Sequence, residues 1–167
     1  MKKILSAVVL SACALFTGLA QAEYVIKFSH VVTPTTPKGK AAQYFADQVN
    51  EKMAGKVRVE VFPNSQLYND NKVMEAMRLA SGNTGLMAAP SLSKFVKFSK
   101  KLQVFDIPFL FNDINDVHKL VDSPVVDEMI APLEKKGIKA LGFWDNGMKV
   151  FSINGDKPLL VSPQDFT

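Results

Sequence analysis

The chain has 167 residues, 47% of them hydrophobic and 22% charged, with a formal net charge of +4. That length supports one domain with a real core, and the composition excludes collagen, coiled coil and disorder. Of the 20 basic residues, Lys2 and Lys3 fall in a leader, leaving 18 against 16 acidic ones, so an evenly spread charge gives no ground for a nucleic-acid partner.

Met1-Lys2-Lys3 is a positive n-region, and residues 4–19 form a nearly unbroken apolar or small-residue run. Ala20-Gln21-Ala22 supplies the A-x-A pattern that a signal peptidase reads, so residues 1–22 are expected to be a cleaved signal peptide and the mature chain to begin at Glu23. An uncleaved anchor needs roughly 20 apolar residues, and Ser6, Ser11 and Thr17 interrupt this run. Leu10-Ser11-Ala12-Cys13 has the look of a lipoprotein box. Cutting there leaves only residues 4–9 as the apolar core, below the roughly 7–15 required. Cys13 is therefore read as a leader residue, and the mature chain has no disulfide, thiol nucleophile or thiolate metal site.

Residues 24–29 form a β-rich run. Thr36-Pro37 then reads as N-cap plus first-turn proline. Ala41, Phe45, Val49 and Met53, with Ala42 and Ala46 beside them, form one helical stripe stopped by Gly55. Val57, Val59 and Val61 alternate with Arg58 and Glu60 as a half-buried strand. Asn69 or Asp70 caps a second helix carrying Val73, Met77 and Ala80, and residues 84–88 form the next strand. Pro90-Ser91 opens a short helix with Leu92, Phe95 and Val96. The aromatic run at residues 105–111, split by Pro108, is expected to be a buried connector. Asn112-Asp113 caps a helix with Val117 and Leu120. Ser123-Pro124 opens another, carrying Val126, Met129, Ile130 and Leu133 despite Pro132 and closed by Gly137. Residues 138–144 are expected to be a fourth strand.

This alternation predicts an α/β fold, a mostly parallel sheet flanked by helices. Residues 23–147 form its first lobe. Residues 148–167, with the Asn154-Gly155-Asp156 turn and two prolines, read as a crossover into a second lobe that the chain only begins.

In open parallel sheets ligands bind beyond the carboxyl ends of strands. That rule selects His30 after the first strand, Ser91 after the third, and Trp144 and Asn146 after the fourth, with Lys94 and Lys149 as compact charges nearby. Ser91 at a helix N-terminus suits an anion, and together the groups suit a carboxylate. Each also has a plainer reading. His30 can bond to its loop backbone, Ser91 can be a plain cap, and Trp144 can fill core. Lys94 can belong with Lys97, Lys100 and Lys101 to a solvated basic face, and Asn146-Gly147 is a turn with or without ligand. His118, on a presumed helix exterior, is assigned no role. The chain shows no His-x-x-x-His or cysteine metal spacing, no nucleophile elbow and no phosphate-cradling loop, so no residue speaks for catalysis, a metal or a cofactor.

Residues 26–30 (Ile-Lys-Phe-Ser-His), followed by Thr36-Pro37-Lys38-Gly39, resemble the start of the DctP-type solute receptors of TRAP (tripartite ATP-independent periplasmic) transporters. Residues 59–67 (VEVFPNSQL), 88–95 (AAPSLSKF), 105–111 (FDIPFLF), 144–147 (WDNG) and 162–166 (SPQDF) match further motifs in order, covering essentially residues 23–167. The resemblance implies a periplasmic, two-lobed, non-enzymatic receptor of a Gram-negative bacterium. It would close on an organic acid, often a C4-dicarboxylate, and deliver it to TRAP membrane subunits without itself entering the membrane. The alternatives are a receptor for an ATP-driven importer, or a periplasmic enzyme. The family often has a basic residue after the Asn-Gly turn, here Lys149, as a single charge rather than an arginine fork. Family members continue into a Gly-rich strand ending in a carboxylate-clamping arginine, which this chain stops short of. Residues 23–167 alone are therefore expected to bind weakly or not at all.

Overall fold

The structure, a computed structural model, describes residues 23–80, 84–145, 147, 148, 162 and 164. The expected leader, Asn146, Lys149 and the turn at residues 154–156 lie outside them. The chain divides into two compact units, one up to Lys94 and one from Phe95 onward.

The first unit is built on β1 (Tyr24–Ser29), the central strand of a parallel sheet ordered β2-β1-β3, with β2 spanning Val57–Phe62 and β3 Thr84–Ala88. Phe28 sits opposite Val61 on one side and Met87 on the other. Because strand side chains alternate faces, Ile26, Phe28, Val59 and Val61 share a face. Onto that face α1 (Pro37–Lys52) lays Ala42, Phe45, Ala46 and Val49. Ala42 and Ala46 are completely buried, and their small side chains let the helix approach the sheet closely. Phe28 and Phe45 meet edge to face at 6.1 Å. Full burial of a side chain the size of Phe28 contributes roughly 1.5–3 kcal/mol, so this layer fixes where the strand tips end.

The start of α1 follows its sequence signal. The Thr36 hydroxyl accepts from the Gly39 N–H at 3.2 Å, and Pro37 fills the first position. Near the other end, Asn50 donates to the Val59 carbonyl and accepts from the Val59 N–H, so a helix side chain takes up backbone groups of β2. The helix α2 (Val73–Leu79) is shorter than its pattern, because Asn69 spends its side-chain oxygen on the N–H groups of Asn71 and Lys72 in a preceding turn. Asp70 is thereby left to act elsewhere. Val73 and Met74 are buried, and α2 packs against β3.

In the second unit a 3₁₀ turn (Lys100–Asp106) precedes α3 (Ile114–Val121) and α4 (Val125–Glu134). Asp113 caps α3 by accepting from Asn115 and Asp116. Pro132 lies inside α4, whose Val126, Met129 and Leu133 are buried with Leu102 and Ile138. Two expectations fail here. Residues 138–144 form no strand: a strand exists only by pairing its backbone groups with a neighbour, and among the described residues nothing pairs with this segment. The aromatic run is not buried either, since Ile107, Phe109 and Leu110 are about half exposed. Phe109 takes a left-handed φ of 61°, so the backbone changes hand within the run and its side chains do not share one face.

Candidate functional site at the strand tips

The first residue past the β1 ladder is His30. Its N–H donates to the Phe62 carbonyl and its own carbonyl accepts from Ser65, each at 3.0 Å. The loop after β2 is thereby folded back onto the loop after β1, at the cost of left-handed φ values at Asn64 (54°) and Ser65 (59°). The imidazole is 2% exposed, and neither Nδ1 nor Nε2 has a hydrogen-bond partner among the described residues. Burial, with the positive charge of Lys38 second, pushes its pKa below the ordinary value. The Val32 backbone opposes that shift without reaching hydrogen-bond geometry.

Sequence reasoning missed Lys38. It lies in the first turn of α1 and is 9% exposed. Its Nζ donates to the Ala89 carbonyl, just past β3, at 3.2 Å. Burial pushes the ammonium below its usual pKa, and the charge of Asp70 pulls it partly back. Among the described residues no carboxylate comes within ion-pair distance of it. Gly39 is what seats this turn: a Cβ there would stand 2.2 Å from the Thr33 carbonyl oxygen and 2.8 Å from Pro34 Cα. The sequence signal that bears on the position is the glycine beside it, which marks a close backbone approach.

Ser91 is exposed, with its hydroxyl 3.1 Å from that of Ser93. Its N–H donates to the Asp70 carboxylate at 3.2 Å, and the next element is a four-residue 3₁₀ turn (Leu92–Phe95) holding Lys94. The expected anion seat at an α-helix N-terminus is therefore not formed there: the turn is too short for a macrodipole, and a carboxylate already takes the N–H. The first unit thus gathers His30, Lys38, Asp70 and the stretch carrying Ser91 and Lys94 at the ends of adjacent strands β1 and β3. Lys97, Lys100 and Lys101 are exposed, the last paired with Glu128 at 2.7 Å, as a solvated face requires.

Trp144 belongs to the second unit and is 46% exposed. Beside it, Asp145 meets His118 of α3 at 3.0 Å and accepts from the Gly147 N–H at 3.1 Å. These contacts, with His118 first, hold its carboxyl below the usual range. His118, given no role from sequence, ties the Trp144 segment to α3. Among the described residues no group of histidines and carboxylates is arranged to hold a metal ion.

Residues 28–167 match the family DctP, bacterial extracellular solute-binding protein, family 7. The C4-dicarboxylate-binding periplasmic protein DctP of Vibrio cholerae is 51% identical over 140 residues, 83% of this chain and 41% of that protein. Its counterpart in Rhodobacter capsulatus is 45% identical over 143 residues, 85% of this chain and 41% of that protein. A TRAP periplasmic solute binding protein from Pseudomonas aeruginosa, solved with bound L-malate, superposes with a TM-score of 0.69 at 46% identity. That match covers 74% of this chain and 42% of that one. One from Sulfurospirillum deleyianum, with bound succinate, gives 0.67 at 48% identity, covering 75% and 39%. The chain spans about two fifths of the length of the curated relatives it matches.

Proposed function

Because the chain belongs to the DctP family of bacterial extracellular solute-binding proteins, we propose that the whole protein is a periplasmic receptor that captures a small organic acid, a C4-dicarboxylate. In this reading residues 1–22 are an export signal, residues 23–147 belong to the first lobe, and residues 148–167 lead toward the second. The receptor passes its ligand to TRAP membrane subunits driven by an ion gradient, and performs no chemistry on it. His30, Ser91 and Lys94 contribute contacts from beyond the tips of β1 and β3, and Trp144, Asn146 and Lys149 from the later segment.

The observation that carries the ligand class is the buried imidazole of His30, with two unused nitrogens, at the tip of a central parallel strand. Strand tips are where such sheets take ligands, and a buried donor left idle costs about 1–3 kcal/mol, a cost that a polar ligand offsets. The ligands of the similar receptors, malate and succinate, support the choice of a C4 acid. Titration calorimetry of the full-length protein with succinate, malate and fumarate tests it. Saturable binding of at least one, with the acid recovered unchanged, is the expected result. Silence toward all three, beside binding of a sugar acid, refutes the C4 assignment.

A further inference from the structure

Lys38 is a buried cation with too little around it. An ammonium has three N–H donors, and among the described residues the only hydrogen-bond acceptor of this one is the Ala89 carbonyl. Charges are seldom buried unless they are paired. The nearest acidic influence is Asp70, felt through space but outside ion-pair distance, its carboxylate turned to the Ser91 N–H. The lysine is therefore fixed in position by Ala89, its charge partly supported by Asp70, and unneutralised at contact.

Its surroundings are electropositive as well. Lys38 sits in the first turn of a 16-residue helix, whose N-terminal end carries partial positive charge. The second, independent sign of a ligand is His30, completely buried, electrostatically coupled to Lys38, and with both ring nitrogens idle. Burial and Lys38 both favour the neutral ring, which offers one N–H donor and one acceptor nitrogen.

We propose that Lys38 and His30 act as one subsite: Lys38 receives an ionised carboxylate of the ligand, and the His30 ring N–H donates to that same group. This subsite rests on the receptor function and deepens it. It names the charge that selects an anion, and it makes Asp70 a residue that acts on the site by its charge and through the Ser91 loop, without touching the ligand.

The test is succinate titration of the full-length protein and its Lys38→Met and Lys38→Arg variants, with thermal melting as a control on folding. Losing one partner of a desolvated charge pair weakens binding by about 30-fold or more, so Lys38→Met is expected to lose at least that while Lys38→Arg retains most affinity. A folded Lys38→Met protein that binds within about threefold of wild type overturns the assignment. Should that variant fail to fold, the ¹⁵N-labelled Lys38 Nζ resonance of the wild-type protein decides. It is expected to shift on saturation with succinate, and an unmoved resonance overturns the proposal. Succinamic acid separates the subsite from the receptor function. Wild type should prefer the dianion to the half-amide, and Lys38→Met should lose most of that preference. A wild-type protein that binds no organic acid at all defeats the receptor function itself, and this subsite with it.

Discussion

The Ser29 side chain and the Tyr68 backbone satisfy each other completely: the Ser29 hydroxyl donates to the Tyr68 carbonyl at 3.2 Å and accepts from the Tyr68 N–H at 3.3 Å. Ser29 is the last residue of β1 and is 2% exposed. Its hydroxyl therefore pins the segment between β2 and α2 to the sheet, one residue before His30 and two before Asp70.

Replacing Ser29 by Ala removes both bonds and leaves a backbone donor and acceptor without their partner in a half-buried setting. The expected cost is about 1–3 kcal/mol, read as a lower urea midpoint at unchanged slope. Succinate affinity should fall too, because the loop after β2 that folds over His30 loses its anchor; an unchanged midpoint refutes the pinning role.

Gly39 gives a sterically motivated prediction. A Cβ at this position meets backbone atoms of Thr33 and Pro34, and backbone yields less readily than a side-chain end. Gly39→Ala is expected to destabilise the protein by about 1–3 kcal/mol and to weaken ligand binding by displacing Lys38. Thermal melts and calorimetry check both, and a stable, tightly binding variant refutes the account of this turn.

These two residues show what was legible in the sequence and what was not. Strand and helix periods were plain from the alternation in residues 57–61 and the four-residue spacing through Phe45 and Val49 with Ala42 and Ala46 beside it, because one face of each element meets the core; Ala41 and Met53, counted into the same stripe, are exposed. The strand-tip rule located His30 and Ser91 past β1 and β3 because those strands were themselves legible. The fourth strand failed because pairing is a property of the neighbour, and no local pattern reports whether a neighbour is there. Lys38 was missed because a lysine in a polar first turn reads as solvated. Only the close approach permitted by Gly39, and the arrival of Ala89 from a distant strand, bury it. Asp70 read as a helix cap, and its bond to Ser91 joins segments 21 positions apart.

Asp70 supports a prediction of the opposite sign. Its negative charge repels an incoming carboxylate while helping Lys38 stay protonated. Asp70→Asn keeps an oxygen that accepts from the Ser91 N–H but removes the charge. At neutral pH, with Lys38 still cationic, succinate should bind about threefold or more tighter at low salt. The gain should shrink as salt rises. Weaker binding in a fully folded variant refutes the assignment of Asp70 as a brake on the anion site.

The buried imidazole of His30 makes stability depend on pH in a stated direction. Its pKa in the folded protein lies below the ordinary 6.5, chiefly through burial and secondly through Lys38. Between that lowered value and about 6.5, the unfolded chain binds more protons than the folded one, so stability rises with pH across the interval. The penalty for charging the ring is absent above about 6.5, grows as pH falls, and is complete once pH passes the lowered value. Of the neighbouring charges, Lys38 strengthens the effect, and Asp70 sustains it indirectly by favouring the charged form of Lys38. Melting temperatures from pH 5 to 8 should therefore fall more steeply below 6.5 in wild type than in His30→Asn. Saturating succinate should flatten the wild-type curve, because a carboxylate beside the ring restores its affinity for a proton. Parallel curves for wild type and variant, with and without the acid, refute both the buried neutral state of His30 and its contact with the ligand.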